Sequence, residues 1–415
     1  MKKVLALVLS CVFVLSVCGF AAAEDDITLD VIMSEYGPNT MDWFLGSGTD
    51  GTNFVKKFEA ENPGIKLNLE VVPWNDINTI VSTRISNNNP PDILNSDIFS
   101  NFADEALLLP VDDYCPEELY GDFIPTLLEQ SRINGTVWGL PILASVRLMY
   151  YNTDIFEEAG VDVPETWDEL EDACQAILDF YDGEIYPFGI DLSTDEGQAA
   201  FSYFAWGNGG GFVDAEGNWD LNSDANVEAA EFAVNNLVGN GYTNPSPTTQ
   251  SRENLQDMFA AGKLAMLICP NQLPSYIADK GSSIEYDAAA IPHSENAAPF
   301  SAGVMDRFMV FKDDSAPDRE ARNDAIRKFM SFFFRPENYI PWVAMEGFTP
   351  TVRSASDASE NAPLFISMLE TANFYPTSRP EWDSVKKGVI SVLQNAVYGE
   401  DVRQMLDQLQ ESITG

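Results

Sequence analysis

The chain has 415 residues, 65 acidic against 23 basic side chains, and a formal charge of −42. That length suits two or three domains, and 45% apolar with 12% aromatic residues exclude wholesale disorder. The charge argues against nucleic acid, whose phosphates need a concentrated basic face, and against an anionic membrane surface.

Met1, Lys2 and Lys3 are followed by an apolar run over 4–20, then by Ala21-Ala22-Ala23 ahead of Glu24-Asp25-Asp26. This is the layout of a secretory signal peptide, with cleavage expected after Ala23. An apolar core of about 17 residues lies at the bottom of the membrane-spanning range, so an uncleaved anchor is the weaker reading. A competing reading makes Cys18 a lipidated N-terminus, because Leu15-Ser16-Val17-Cys18 resembles a lipobox. Val17 replaces the small residue expected there, which disfavours it. Cys115, Cys174 and Cys269 remain after the leader. An odd number cannot form a complete disulfide framework, and with His293 the lone histidine no zinc spacing exists. Small buried hydrophobes are the expected role.

Ile27, Leu29, Val31 and Met33 read as a strand, and Ile65, Leu67, Leu69 and Val71 alternate with polar residues more cleanly. A helix around 53–61, stopped at Asn62-Pro63-Gly64, lies between them, so the three make a βαβ unit with parallel strands. A helix over 77–86 and a short strand at Asp92-Ile93-Leu94 continue the alternation. Thr166 followed by Glu169 is a capping box opening a helix to about Tyr181. Val227, Ala230, Val234 and Leu237 recur at helical spacing before Gly239 and Gly241. Val385, Val389 and Val392, then Val402, Met405, Leu409 and Ile413, mark two C-terminal amphipathic helices. No low-complexity linker separates the domains, which implies that they are built from interleaved segments.

No catalytic signature stands out: the chain has no G-x-S-x-G elbow, H-E-x-x-H, P-loop or dinucleotide fingerprint. With 65 acids, carboxylate pairs at glycosidase spacing are unavoidable and carry no weight. His293 reads as a loop residue. Tyr150-Tyr151 could ligate iron, but a strand pair with one ring on each face is the better reading. Asp214 to Asp220 lacks the calcium-loop spacing and reads as a hairpin turn on Glu216-Gly217. Trp43, Trp74, Trp138, Trp206 and Trp382 lie in or beside polar, Gly- or Pro-containing stretches. Aromatic faces beside amides and carboxylates suit sugars, although core packing is the commoner fate of a tryptophan.

Phe58-Glu59-Ala60-Glu61-Asn62-Pro63-Gly64-Ile65 followed by Pro91-Asp92-Ile93 resembles the opening of the family 1 extracellular solute-binding proteins, the carbohydrate receptors of bacterial ABC importers. Asn134 to Pro141 followed by Tyr150 to Phe156 resembles their first domain crossing. Pro164-Glu165-Thr166-Trp167-Asp168-Glu169-Leu170 is similar to their P-x-T-W-x-E-L. Phe259 to Met266 and Glu346 to Pro350 match later signposts, in order, across nearly the whole mature chain. The resemblance implies an α/β fold of two lobes, each a mostly parallel sheet flanked by helices, with a hinge between them. Crossings near 145, 303 and 352 would give lobe 1 as 27–144 and 305–350, and lobe 2 as 147–300 and 354–415.

The resemblance also implies an exported, non-enzymatic receptor in the periplasm or at the cell surface of a bacterium. It would be a monomer without cofactor or metal, capturing a sugar and delivering it to permease subunits. Ligands in open α/β sheets sit beyond the carboxyl ends of strands. By position, Glu35, Tyr36, Asn95, Ser96 and Asp97 are candidate ligand contacts, with Trp74 and Trp206 as stacking platforms. Ser145 and Arg147 flank the first crossing, Asp306 and Arg307 follow the second, and Arg353 sits at the third. Asn271 and Gln272 stand where relatives often carry a stacking tryptophan. Only twelve arginines occur, and three of them fall at the crossings. They either recognise an anionic sugar or glycerol phosphodiester or neutralise local acids, and the second reading is favoured. An exported glycoside hydrolase is the remaining alternative.

Overall fold

The computed structural model describes residues 26–37, 39–46, 53–194, 196–313, 318–358 and 360–415, with Asn75 described by its backbone alone. The leader and Cys18 lie outside the described residues. Strand β1 (Ile27–Ser34), helix α1 (Phe54–Glu61), strand β2 (Ile65–Val72), helix α2 (Trp74–Ser86) and strand β3 (Ile93–Ser96) open the chain. Along β2 the odd-numbered residues Ile65 to Val71 are buried and Lys66, Asn68 and Glu70 are exposed, so period-2 patterning sets its face. The Asn53 side chain accepts from Lys56 N at 2.8 Å and fixes the start of α1. Gly64, at φ 89°, makes the left-handed turn into β2. Pro73 is extended just before α2, so this helix starts at Trp74, earlier than the apolar spacing from Ile77 indicates.

Next come β4 (Leu140–Asn152), α3 (Trp167–Phe180), β5 (Tyr186–Gly189), α4 (Gly197–Gly207) and α5 (Asp224–Glu231). The Thr166–Glu169 capping box at α3 is formed reciprocally. The run after α5 continues over Phe232–Val238 as a π-helix rather than as more α-helix. Then follow α6 (Arg252–Ala260), β6 (Leu264–Pro270), β7 (Tyr286–Ala289), β8 (Ala302–Val310), α7 (Arg319–Phe333), β9 (Asn373–Phe374), α8 (Trp382–Val397) and α9 (Val402–Thr414).

Among the described residues, nine strands form one sheet in the order β2-β1-β3-β8-β4-β6-β5, with β9 beside β8 and β7 beside β4. β1 runs parallel to β2 and β3, and β5 parallel to β6. The sheet is nevertheless mixed, because β8 is antiparallel to β3 and β4, and β4 is antiparallel to β6 and β7. β4 pairs with β8 up to Val146 and with β6 from Arg147 onward, changing partner in mid-strand. Two large apolar clusters lie on either side of that change. One draws on 29–143 and 308–355, the other on 149–302 and 375–406.

Tyr150 packs in a cluster with Leu255 and Phe259, while Tyr151 packs on a different cluster, its ring 4.9 Å from that of Phe156. Asp214 and Asn218 form a hairpin, with Val213 bridging Trp219 and Gly217 at φ 82°. Asp214 accepts from Asn218 N at 2.7 Å, so its carboxylate is committed to the turn itself. His293 lies in a loop that docks on α3: its carbonyl accepts from Trp167 N at 2.9 Å. The thiols of Cys115, Cys174 and Cys269 are free. Burial, assisted by Asp112, pushes Cys115 up to about 12.

Candidate functional site

A cavity of ≈ 590 Å³ opens between the two apolar bodies, within the size range of small-molecule sites. Strand ends supply one wall: Tyr36 follows β1, Trp74 opens α2 after β2, and Asp97 follows β3. Ser145 and Arg147 of β4, with Val304 and Asp306 of β8, lie across its base. The opposite wall holds Glu196 and Gln198 at the start of α4, Arg252 at the start of α6, Tyr375, and one face of α8. On α8, Lys386, Ile390 and Gln394 recur every four residues and so form one stripe. Val385, Val389 and Val392 face the core instead.

Tyr36 is held inside an aromatic group, edge-on to Trp74 and Phe348 at 5.5 Å each. Its hydroxyl lies 3.1 Å from Asn95 Oδ1 and 3.2 Å from Asp306 Oδ2. Trp74 and Phe348 are half-buried, which leaves ring surface toward the cavity. Across from them Tyr375 stacks on Trp382 at 5.2 Å and 20°.

The charges are paired. Arg147, its side chain 3% exposed, donates to Glu196 Oε1 at 3.0 Å, and Arg252 reaches the same oxygen at 3.3 Å. Lys386 stands 3.8 Å from Asp97 and Lys387 2.6 Å from Asp383. Burial opposes the charge on Glu196, but Arg147, Arg252 and Lys386 outweigh it and hold the carboxyl below the usual range. Burial, together with Asp97, drives Asp306 the other way, to about 7. On cavity-lining residues, Arg147 Nε and Gln198 Oε1 are buried with no hydrogen-bond partner among the described residues.

Of the residues singled out from the sequence, Tyr36, Trp74, Asp97, Ser145, Arg147 and Asp306 are brought together here. Asn95 stands one layer behind, holding the Tyr36 hydroxyl. Ser96 is buried and accepts from Ile98 N at 3.3 Å, and Glu35 is half-buried; neither lines the cavity. Asn271 and Gln272 are buried beside the point where β4 changes partner. There Asn271 accepts from Val146 N and donates to Gly347 O, both at 3.0 Å, away from the cavity wall.

Arg307 does not line this cavity: it donates to Ser131 Oγ at 3.1 Å and to the Asp97 carbonyl, with its guanidinium over Phe99. Arg353 is exposed and donates to Phe123 O at 3.2 Å. Trp206 lines a second cavity of ≈ 410 Å³ with Gly209 to Gly211, Phe300 and Phe374. It stacks on Tyr375 of the main cavity at 5.8 Å. Sequence reasoning missed Glu196, Gln198, Arg252, Tyr375 and the cavity face of α8. Only α8 carried a signal, since the polar side of an amphipathic helix can line a site as well as meet solvent.

The profile of the family described as bacterial extracellular solute-binding protein matches residues 46–340. The chain belongs to that family. A binding protein of Brucella abortus (strain 2308) is 31% identical over 394 residues, covering 93% of this chain and 92% of its own. The maltotriose-binding protein of Pyrococcus abyssi is 23% identical over 379 residues, covering 87% of this chain and 78% of its own. Among solved structures, maltose-bound MalE3 of T. maritima superposes with a TM-score of 0.80 at 18% identity, covering 93% of this chain and 99% of its own. This solute-binding protein therefore has the two-lobed fold, and the paired cores and the cavity between them follow from it.

Proposed function

We propose that this solute-binding protein captures an uncharged sugar or short oligosaccharide in the interlobe cavity, closes on it, and delivers it unchanged to the permease of an ABC importer. The observation that carries the reading is the chemistry of the wall. Among the described residues, four cationic side chains accompany four carboxyl side chains, aromatic rings stand on both sides, and a buried donor (Arg147 Nε) and a buried acceptor (Gln198 Oε1) are unpaired. A hydroxyl both donates and accepts, whereas a phosphate or carboxylate oxygen only accepts. A polyhydroxylated ligand with apolar C–H faces matches such a wall. The relative that binds maltotriose supports the same class.

The proposed division takes 27–144 with 305–350 as one lobe and 147–300 with 354–415 as the other. The partner change within β4 and the composition of the two apolar clusters support it. Export with cleavage after Ala23, a monomeric state and the absence of catalysis belong to the same proposal. Isothermal titration of residues 24–415 tests it, with neutral oligosaccharides, uronate oligomers and glycerol phosphodiesters as probes and product analysis afterwards. One-to-one binding of a neutral class, recovered intact, is the expected result. Binding confined to the anionic probes would overturn the neutral assignment, and turnover would replace the receptor with a glycoside hydrolase.

A further inference from the structure

Arg147 and Arg252 both reach the cavity from the second lobe, and alone they would form a site for a carboxylate or phosphate. Two guanidinium groups in a shielded wall are the arrangement that binds such groups best. Here that place is already taken. A single oxygen of Glu196 accepts from both arginines, at 3.0 and 3.3 Å, and Glu196 itself lines the cavity. The carboxylate occupies the position of the negative group of an anionic ligand.

We propose that Glu196 determines the ligand class of the cleft, acting as a built-in anion that neutralises Arg147 and Arg252 and so excludes sugars bearing phosphate or carboxylate. The inference rests on the reading of the cavity as a neutral-sugar site and names the side chain that makes it so. Three features support a selective role beyond simple charge neutralisation. Glu196 immediately precedes α4, at the cavity mouth of that helix, so its carboxylate is presented to the ligand as well as to the arginines. Its side chain keeps 18% exposure, while Arg147 keeps 3%. An entering anion therefore meets the carboxylate before the Arg147 guanidinium, while Arg252, at 25% exposure, stands nearer the surface with that same carboxylate already against it. Finally, the other two cations of the wall, Lys386 and Lys387, have their own acids in Asp97 and Asp383. Glu196 is thus the acid whose loss leaves two guanidinium groups of the wall without their shared partner.

The test is the variant Glu196→Gln, titrated beside the wild-type protein with a neutral oligosaccharide panel, a uronate disaccharide and inorganic phosphate. The wild type is expected to bind a neutral probe and neither anion. E196Q is expected to bind the uronate or phosphate at least about tenfold more tightly than the wild type does. The double variant E196Q/R147M, which removes both ends of the buried pair, is expected to lose that gain. Should E196Q unfold alone, phosphate will raise its melting temperature beyond the effect of sodium chloride at equal ionic strength, and will not do so for the wild type. A well-folded E196Q that binds the neutral probe and gains nothing for either anion overturns the inference, as does an unfolded E196Q that phosphate fails to rescue. A wild-type protein that binds no neutral probe overturns the underlying sugar assignment instead, so the two failures are distinguishable.

Discussion

Asp306 sits beneath the Tyr36 hydroxyl with Asp97 close by, and burial together with that neighbour raises its carboxyl from 3.8 to about 7. Arg307, the Tyr36 hydrogen bond and Arg147 oppose the rise without cancelling it. Because the folded-state value lies above the unfolded one, the folded protein holds a proton that the unfolded chain has released between about pH 4 and 7. Stability from this group is full below that window and is lost as pH rises through it. At pH 8 the deficit is at most on the order of 4 kcal/mol. Asp306→Asn is therefore expected to melt higher than wild type at pH 8 and to show a flatter decline from pH 5 to 8. A residual slope will remain, because burial also raises Glu346 to about 7. Thermal melts across that range check both points; an Asn variant less stable at pH 8 with an unchanged slope would sink the argument.

The same pair of residues explains what could be read in advance. Neighbours on a strand point to opposite faces, so of Asp306 and Arg307 only one can meet the ligand. A register shift between them makes parity an unreliable guide to which. Ser145 and Arg147, two apart, share a face and both line the cavity. Position after a strand located Tyr36 and Asp97, because loops at strand ends are where an open sheet places ligands. Nothing in the sequence around 194–198 marks Glu196, whose role depends on two arginines 49 and 56 positions away.

At the scale of elements, local chemistry was the more legible. Thr166 Oγ1 accepts from Glu169 N at 3.3 Å and the Glu169 carboxylate accepts from Thr166 N at 3.1 Å, as the spacing of the two residues requires. Thr166→Ala is expected to cost about 1 kcal/mol of stability with no change in ligand affinity, read by urea unfolding and titration on the same preparation. A loss of affinity with unchanged stability would mean that α3 communicates with the cleft. The apolar stripe of α8 was equally plain, but its other face was not: Lys386, Ile390 and Gln394 look like a solvated surface until the opposing lobe is in place. The π-helical turn at Phe232–Val238 has no local signal, since its spacing of Val234 and Leu237 fits an ordinary helix as well.

For the whole molecule, several contacts join residues of the proposed first lobe to residues of the proposed second. Ser100 Oγ donates to Arg379 O at 2.9 Å, Asn39 donates to Asp279 at 3.0 Å, and Lys386 faces Asp97. On the proposed closing of the lobes, such contacts would be present in the closed form and absent from the open one, and so would favour closure by their full worth. Ser100 is off the cavity wall. Ser100→Ala is expected to weaken ligand affinity by roughly two- to tenfold, the net value of one hydrogen bond, and to enlarge the ligand-free radius of gyration in solution scattering. Unaltered affinity and scattering would remove these contacts from the closing equilibrium.

The interleaving of the chain has a consequence for how the protein is made. β8 lies in the sheet between β3 and β4, yet its residues, Ala302–Val310, arrive some 150 positions after β4 ends. Until they emerge from the ribosome, β3 and β4 present open edges to each other and the first core lacks Phe308, Val310 and all of α7. A nascent chain shorter than about three quarters of its final length therefore cannot complete that first core, and the usual order of folding from the N-terminus during synthesis is blocked. Topology alone keeps the first core and the middle of the sheet unfinished until late in translation.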